Sequence, residues 1–179
     1  MIFFFILVFL VLVAQVTELF LPALDWMYGA HIYIVPVIVF YGAMALPLWL
    51  LLALAFWAGF LLDAFTVQVI GSRVEIAFGW SIILYAVLAG IMHGLRPLFV
   101  RGRWEVHCVL SGVCTSIILL MQYLMISFRR GSIFFTPEIW WQIGGPGVIA
   151  MIMAPLAFGM LHWLSRATAS PYLSEEGYL

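Results

Sequence analysis

Thirty-one consecutive residues of the chain, from Ile32 to Leu62, carry no formal charge. A single helix of that length would measure ~46 Å, well beyond the ~30 Å hydrocarbon core of a bilayer, whereas two complete crossings need about 40 residues. We therefore predict two short helices, over residues 32–46 and 48–64, that meet at a tight turn around Pro47. A re-entrant hairpin is the alternative.

The composition of the whole chain excludes a water-soluble domain. Of its 179 residues, 66% are hydrophobic and 8% are charged, whereas soluble domains average about 25% charged residues. All seven basic residues are arginines and the net charge is -1, so we expect no nucleic-acid partner. The chain is predicted to be an all-α integral membrane protein that is surrounded by a lipid bilayer.

Charges and prolines mark the ends of the other apolar segments. The polar residues 65–75 are interpreted as a loop. Residues 144–147 (Gly-Gly-Pro-Gly) and Pro155 interrupt the last segment and predict kinks in it. The result is one bundle of six transmembrane helices, at about residues 2–21, 32–46, 48–64, 76–95, 106–128 and 139–164, with a polar C-terminal tail over 165–179.

An even number of spans places both termini on the same side of the membrane. Arginines flank the membrane on the cytoplasmic side more often than on the other. Four arginines (Arg96, Arg101, Arg103 and Arg166) share the side of the termini, against three (Arg73, Arg129 and Arg130) on the opposite side. The count predicts cytoplasmic termini, and it would reverse if residues 32–64 formed a single span.

Asp63 ends the charge-free run and is the first candidate for a functional residue. An aspartate at the centre of a membrane helix costs about 2.5–3.5 kcal/mol on insertion scales, so its presence needs a reason. One interpretation is an ion, proton or partner-contact site. The other is structural: Asp63 lies at the membrane edge and caps the following turn, with Arg73 as its counter-ion.

The residue types that carry catalysis or bind metals are present, but they are scattered. The four histidines have no carboxylate or second histidine three or four residues later, and the serines of the spans have no acid–base partner nearby in sequence. We therefore predict no catalytic, cofactor-binding or metal site, and no enzymatic activity. The histidines are His31, His93, His107 and His162, and the serines are Ser81, Ser111 and Ser116.

Two local patterns have a structural explanation. Gly90 and Gly94 form a GxxxG motif in an apolar segment, which is a possible close-packing face. Pro137 and Glu138 suit the first turn of a helix, where the N–H that proline lacks is not needed and a carboxylate complements the helix dipole.

Several short motifs resemble the rod shape-determining protein MreD family. Gly59 and Asp63, followed by Gly71 and Arg73, have the spacing found in that family. The stretch from Tyr41 to Pro47 is similar to its hairpin, and Pro137-Glu138 is similar to its last-helix start. Two stretches depart from the family pattern: Leu48 to Leu50 lack polar residues after the proline, and residues 66–70 lack small ones.

The resemblance implies a non-enzymatic scaffold subunit of the bacterial cell-elongation complex in the cytoplasmic membrane. Its implied partners are a bitopic MreC-like protein, an MreB-like filament and the peptidoglycan synthases of lateral wall growth. The fold implied is similar to the S-components of energy-coupling-factor transporters, so a vitamin-binding transport subunit is the alternative function. The residues implied as structural or partner contacts are Gly59, Asp63, Gly71, Arg73, Pro137 and Glu138.

Overall fold

The computed structural model describes residues 1–24, 27–66, 69–70, 73–74, 78–96, 104–131 and 136–167. Within these ranges the chain forms six α-helices and one short antiparallel hairpin. The helices are α1 (Ile2–Phe20), α2 (Val35–Ala45), α3 (Leu48–Phe65), α4 (Trp80–Leu95), α5 (Trp104–Arg130) and α6 (Pro137–Ala167). The strands β1 (Val69–Ile70) and β2 (Arg73–Val74) pair with each other between α3 and α4.

The predicted helical class and the six helices are confirmed in the described part of the chain. Four helices are long and apolar enough to cross a membrane: α1, α3, α5 from Cys108 to Arg130, and α6. The other two, α2 and α4, are shorter apolar helices that begin later than the sequence predicts. The segment predicted as a loop after α3 contains the β1–β2 hairpin.

The short helix α2 lies at the centre of the bundle and packs against each of the other five helices. Ten of its 11 residues are buried. A helix that is apolar on every side is stable where other helices cover every side. Its central place therefore follows from the absence of any polar face between Val35 and Ala45.

The turn predicted at Pro47 is present and is closed by a histidine from another helix. Leu46 is extended (φ -112°, ψ 152°), as expected for a residue before proline. Pro47 has no N–H, so the Ala43 carbonyl lacks its usual donor four residues later. His93 of α4 lies there instead, with Nδ1 3.0 Å from the Ala43 oxygen. Because a carbonyl oxygen only accepts, His93 Nδ1 carries the proton.

Helices α3 and α4 approach each other closely at Gly59. A Cβ atom at this position would lie 2.4 Å from the Cα of Ile82 and 2.8 Å from the carbonyl carbon of Ser81. Both are backbone atoms, which cannot move aside without separating the helices. Small residues that let two backbones approach are a main source of helix association in membranes.

Helices α5 and α6 also approach each other closely at glycine residues. A Cβ on Gly112 would lie 2.4 Å from the Gly147 carbonyl oxygen, and one on Gly147 would lie 2.0 Å from Ser116 Oγ. The GxxxG pair singled out in the sequence is different, because a Cβ on Gly90 or Gly94 would meet nothing within 4 Å. The predicted close-packing face is therefore not used within the described chain.

Helix α6 runs without interruption from Pro137 to Ala167, through Pro146 and Pro155. The interruptions predicted at residues 144–147 and Pro155 do not end it, since membrane helices tolerate proline where neighbouring groups satisfy the freed carbonyls. The helix also extends into the predicted tail as far as residue 167, and residues 168–179 lie outside the described part.

Candidate functional site

Asp63 lies in the last turn of α3 and is buried, with 4% of its surface exposed. Its Oδ2 atom accepts a hydrogen bond of 2.6 Å from the backbone N–H of Gly79, which immediately precedes α4. The first N–H groups of a helix have no acceptor within the helix, and the helix dipole places positive charge there. Asp63 therefore caps the start of α4 from the preceding helix.

Gly79, the donor to Asp63, has a backbone conformation that favours glycine. Its φ of +96° is in the left-handed region, which glycine adopts without steric cost. The predicted counter-ion, Arg73, forms part of β2, but its side chain lies outside the described atoms.

Glu18 of α1 caps the start of α2 in the same way. Its Oε1 atom accepts hydrogen bonds from the N–H groups of Ile34 and Val35, the second at 2.7 Å. Glu18 is not among the candidate residues that the sequence patterns indicate. The signal that could have found it is the one that identified Asp63: a carboxylate near the end of an otherwise apolar span.

The two carboxylates belong to one group of side chains, which we term the carboxylate cluster: Gln15, Glu18, Tyr33, Asp63 and Tyr85. Tyr85 of α4 is 1% exposed and interacts electrostatically with Glu18, Tyr33 and Asp63. Tyr33 precedes α2, and burial together with the nearby Glu18 carboxylate raises its pKa to about 12. Gln15 lies one turn before Glu18 in α1 and is 2% exposed.

Two oxygen atoms of this cluster are buried without a hydrogen-bond donor in the described part of the chain: Asp63 Oδ1 and Gln15 Oε1. Nearby on α4, Ser81 is bonded, because Gln122 Nε2 of α5 lies 3.4 Å from its Oγ. An unsatisfied buried acceptor costs free energy. The cluster therefore has capacity to accept hydrogen bonds or to bind a positive charge.

The structure brings together two of the six residues implied by the resemblance. Gly59 and Asp63 are one turn apart on α3 and both face the start of α4, where Gly59 meets Ile82 and Asp63 meets Gly79. Both have a role within the bundle.

The other four residues do not join them there. Pro137 and Glu138 are exposed in the first turn of α6, as the sequence predicts for a helix start. Gly71 lies outside the described residues, and of Arg73 only the backbone is described.

The histidines and cysteines do not form a site in the part of the chain that the structure describes. No group of three or more His, Cys, Asp or Glu side chains could hold a metal ion there. His93 has the structural role at Ala43 given above, and His31 is exposed. Cys108 and Cys114 are buried and form no disulfide.

Comparison with known proteins gives no assignment. The chain matches no family model, and no curated protein or solved structure is significantly similar to it.

Proposed function

We propose that the protein is a non-enzymatic, multi-pass scaffold subunit of the bacterial cell-elongation complex, resembling the MreD family. The observation that carries the proposal is the α3–α4 junction. The residues that carry the resemblance, Gly59 and Asp63, are used there to fix two helices against each other. Residues used for rigid packing and capping, rather than for a reaction, are those that a scaffold requires.

The proposed partner is a bitopic MreC-like protein, together with an MreB-like filament and peptidoglycan synthases. The outer surface of the bundle supports this type of assembly. Along α4, Ile83, Val87 and Ile91 are exposed at one-turn intervals, next to the unoccupied space at Gly90 and Gly94. An apolar surface with small residues can contact either lipid or another transmembrane helix.

Co-purification tests the proposal. The tagged protein, extracted in a mild detergent from cells that elongate, is expected to retain an MreC-like partner, while an unrelated six-helix membrane protein carrying the same tag does not. Depletion is expected to turn rod-shaped cells into spheres. The absence of co-purification together with unchanged rod shape on depletion would reject the function.

The proposed location is the bacterial cytoplasmic membrane, with both termini in the cytoplasm. The pattern of six helices and the four-to-three arginine count support this orientation. Single cysteines placed at residue 1 and in the Pro47 turn, in a background without Cys108 and Cys114, are expected to react only with membrane-permeant reagents. Labelling of either by an impermeant reagent in intact cells contradicts the orientation.

A second candidate function is that of a small-molecule-binding subunit similar to transporter S-components. The specific observation in its favour is the pair of buried, unsatisfied acceptors in the carboxylate cluster. Native mass spectrometry of the purified protein tests it. A stoichiometric organic molecule released on denaturation would favour this function over the scaffold.

A further inference from the structure

The carboxylate cluster contains two carboxylates whose hydrogen bonds in the described part of the chain come from backbone N–H groups. Glu18 accepts the N–H groups at the start of α2, and Asp63 accepts the one at the start of α4. Removing a carboxylate from water is costly unless an opposite charge is close. A helix N-terminus offers only about half an elementary charge to each of them.

The geometry of Asp63 leaves one oxygen available. Its Oδ2 is directed to the Gly79 N–H, so the carboxyl group is fixed in orientation. Its Oδ1 is buried and receives no hydrogen bond within the described chain. A fixed carboxylate with one unpaired oxygen in an apolar interior is suited to bind a positive charge.

Gln15 gives an independent indication of the same kind. It is buried on α1, one turn from Glu18, and α1 packs against α3. Its Oε1 is also without a donor. Carboxylate and amide oxygens attract a cation and repel an anion. The two unpaired oxygens of the cluster therefore favour a positively charged ligand.

We propose that the carboxylate cluster binds a small monovalent metal cation of the Na⁺ type, with Asp63 Oδ1 as its principal ligand and Gln15 and Glu18 completing its surroundings. Oxygen ligands of this kind suit hard cations rather than transition metals. A single charge fits better than a double one, because both carboxylates are already partly compensated by backbone N–H groups at the starts of α2 and α4. The ion would lie beside Asp63, between α1 and α3, which pack against each other, and would hold their ends together.

The test measures the thermal stability of the purified protein in detergent with increasing NaCl. At each NaCl concentration, N-methylglucamine chloride is added so that the ionic strength stays constant. A ligand that binds only the folded state raises Tm as its concentration increases. Saturating Na⁺ is therefore expected to raise Tm by several degrees. Asp63→Asn keeps an acceptor for Gly79 and is expected to lose the Na⁺ response. Glu138→Gln removes an exposed carboxylate from α6 and is expected to keep it.

Gln15→Leu provides a second variant that leaves the Asp63–Gly79 hydrogen bond in place. It is expected to shift the half-saturating Na⁺ concentration at least several-fold upward, whether or not Asp63→Asn folds. Equal Tm values in Na⁺ and N-methylglucamine, or an unchanged Na⁺ response in the Gln15 variant, would overturn the proposal. A Tm that depends on pH but not on Na⁺ would also overturn it, because no metal ion would then stabilise the cluster.

Discussion

Asp63 accepts its hydrogen bond from Gly79, 16 residues further along the chain, and so joins the end of one helix to the start of the next. Glu18 and Val35 have the same relationship across 17 residues. In both cases the capping side chain comes from the preceding helix rather than from the residue before the capped helix. The segment between the helices is therefore held at both ends.

Replacing Asp63 separates its capping role from its charge. Asp63→Ala leaves the Gly79 N–H without an acceptor and is expected to destabilise the protein by about 0.5–2 kcal/mol, the range found for the loss of an N-cap. Asp63→Asn keeps an oxygen acceptor and is expected to accumulate in the membrane at a level closer to the native protein. Accumulation and cell shape are the measurements.

The two outcomes for Asp63 have different meanings. Loss of accumulation in both variants would show that the charge itself is needed for folding. Normal accumulation of Asp63→Asn with rounded cells would assign the charge to a contact or an ion rather than to stability. Equal stability of the native protein and Asp63→Ala would contradict the cap.

A methyl group at Gly59 is expected to destabilise the α3–α4 pair. Gly59→Ala places its Cβ against the backbone of Ile82, at 2.4 Å in the unrelaxed structure, and overpacking of this kind costs about 1–3 kcal/mol. Gly90→Ala is the matched control, since nothing lies within 4 Å of its Cβ position. Tm in detergent is expected to fall for the first variant and to stay level or rise for the second. The reverse order would show that the helices do not meet at Gly59.

Removing the His93 side chain is expected to destabilise the turn at Pro47, where the Ala43 carbonyl has no backbone N–H donor. His93→Ala leaves the Ala43 carbonyl without a donor, and an unsatisfied buried backbone group costs about 1–3 kcal/mol. His93→Asn retains an N–H donor near the Nδ1 position and is expected to recover part of the lost Tm. If alanine and asparagine are equally destabilising, the hydrogen bond to Ala43 is not the source of the effect.

Tyr33 is expected to titrate far above an ordinary tyrosine. Burial, and then the charge of Glu18, raise its pKa from 10.0 to about 12. Because the pKa is raised in the folded state, the contribution of Tyr33 to stability is complete below about pH 10 and is lost as the pH rises towards 12. Phenolate absorbance, compared between the native protein and Tyr33→Phe, measures this titration.

The variant Glu18→Gln separates the two causes of the Tyr33 shift. It removes the charge but not the burial, so the pKa is expected to fall only part of the way to 10.0. A Tyr33 that titrates like a free tyrosine in the native protein would show that its ring is not buried beside Glu18.

The sequence predicts the helices well because their signal is local. Length, charge and the proline at residue 47 are sufficient to place α2 and α3 and the turn between them. The start of α2 is harder to predict from the sequence, because residues 32–34 are as apolar as the helix. They stay outside α2, where Glu18, far away in sequence, accepts hydrogen bonds from the N–H groups of Ile34 and Val35.

The candidate site shows the same limit. Asp63 could be singled out because a carboxylate in an apolar run is conspicuous, but its partner Gly79 depends on how α4 folds back. The GxxxG rule selected Gly90 and Gly94, while the close approaches occur at Gly59 and at Gly112 with Gly147. Glycine spacing identifies residues that permit close packing, but the neighbouring helix decides which of them is used.

The central position of α2 bears on how the protein enters the membrane during synthesis. Its 11 residues span about 16 Å, roughly half of the ~30 Å that an independent crossing requires. The insertion machinery would not retain it as a separate segment. The tight turn at Pro47 joins it to α3, which is long enough to cross, and the two are expected to insert together as one hairpin. The protein's innermost helix thus depends for its membrane insertion on the helix that is synthesised after it.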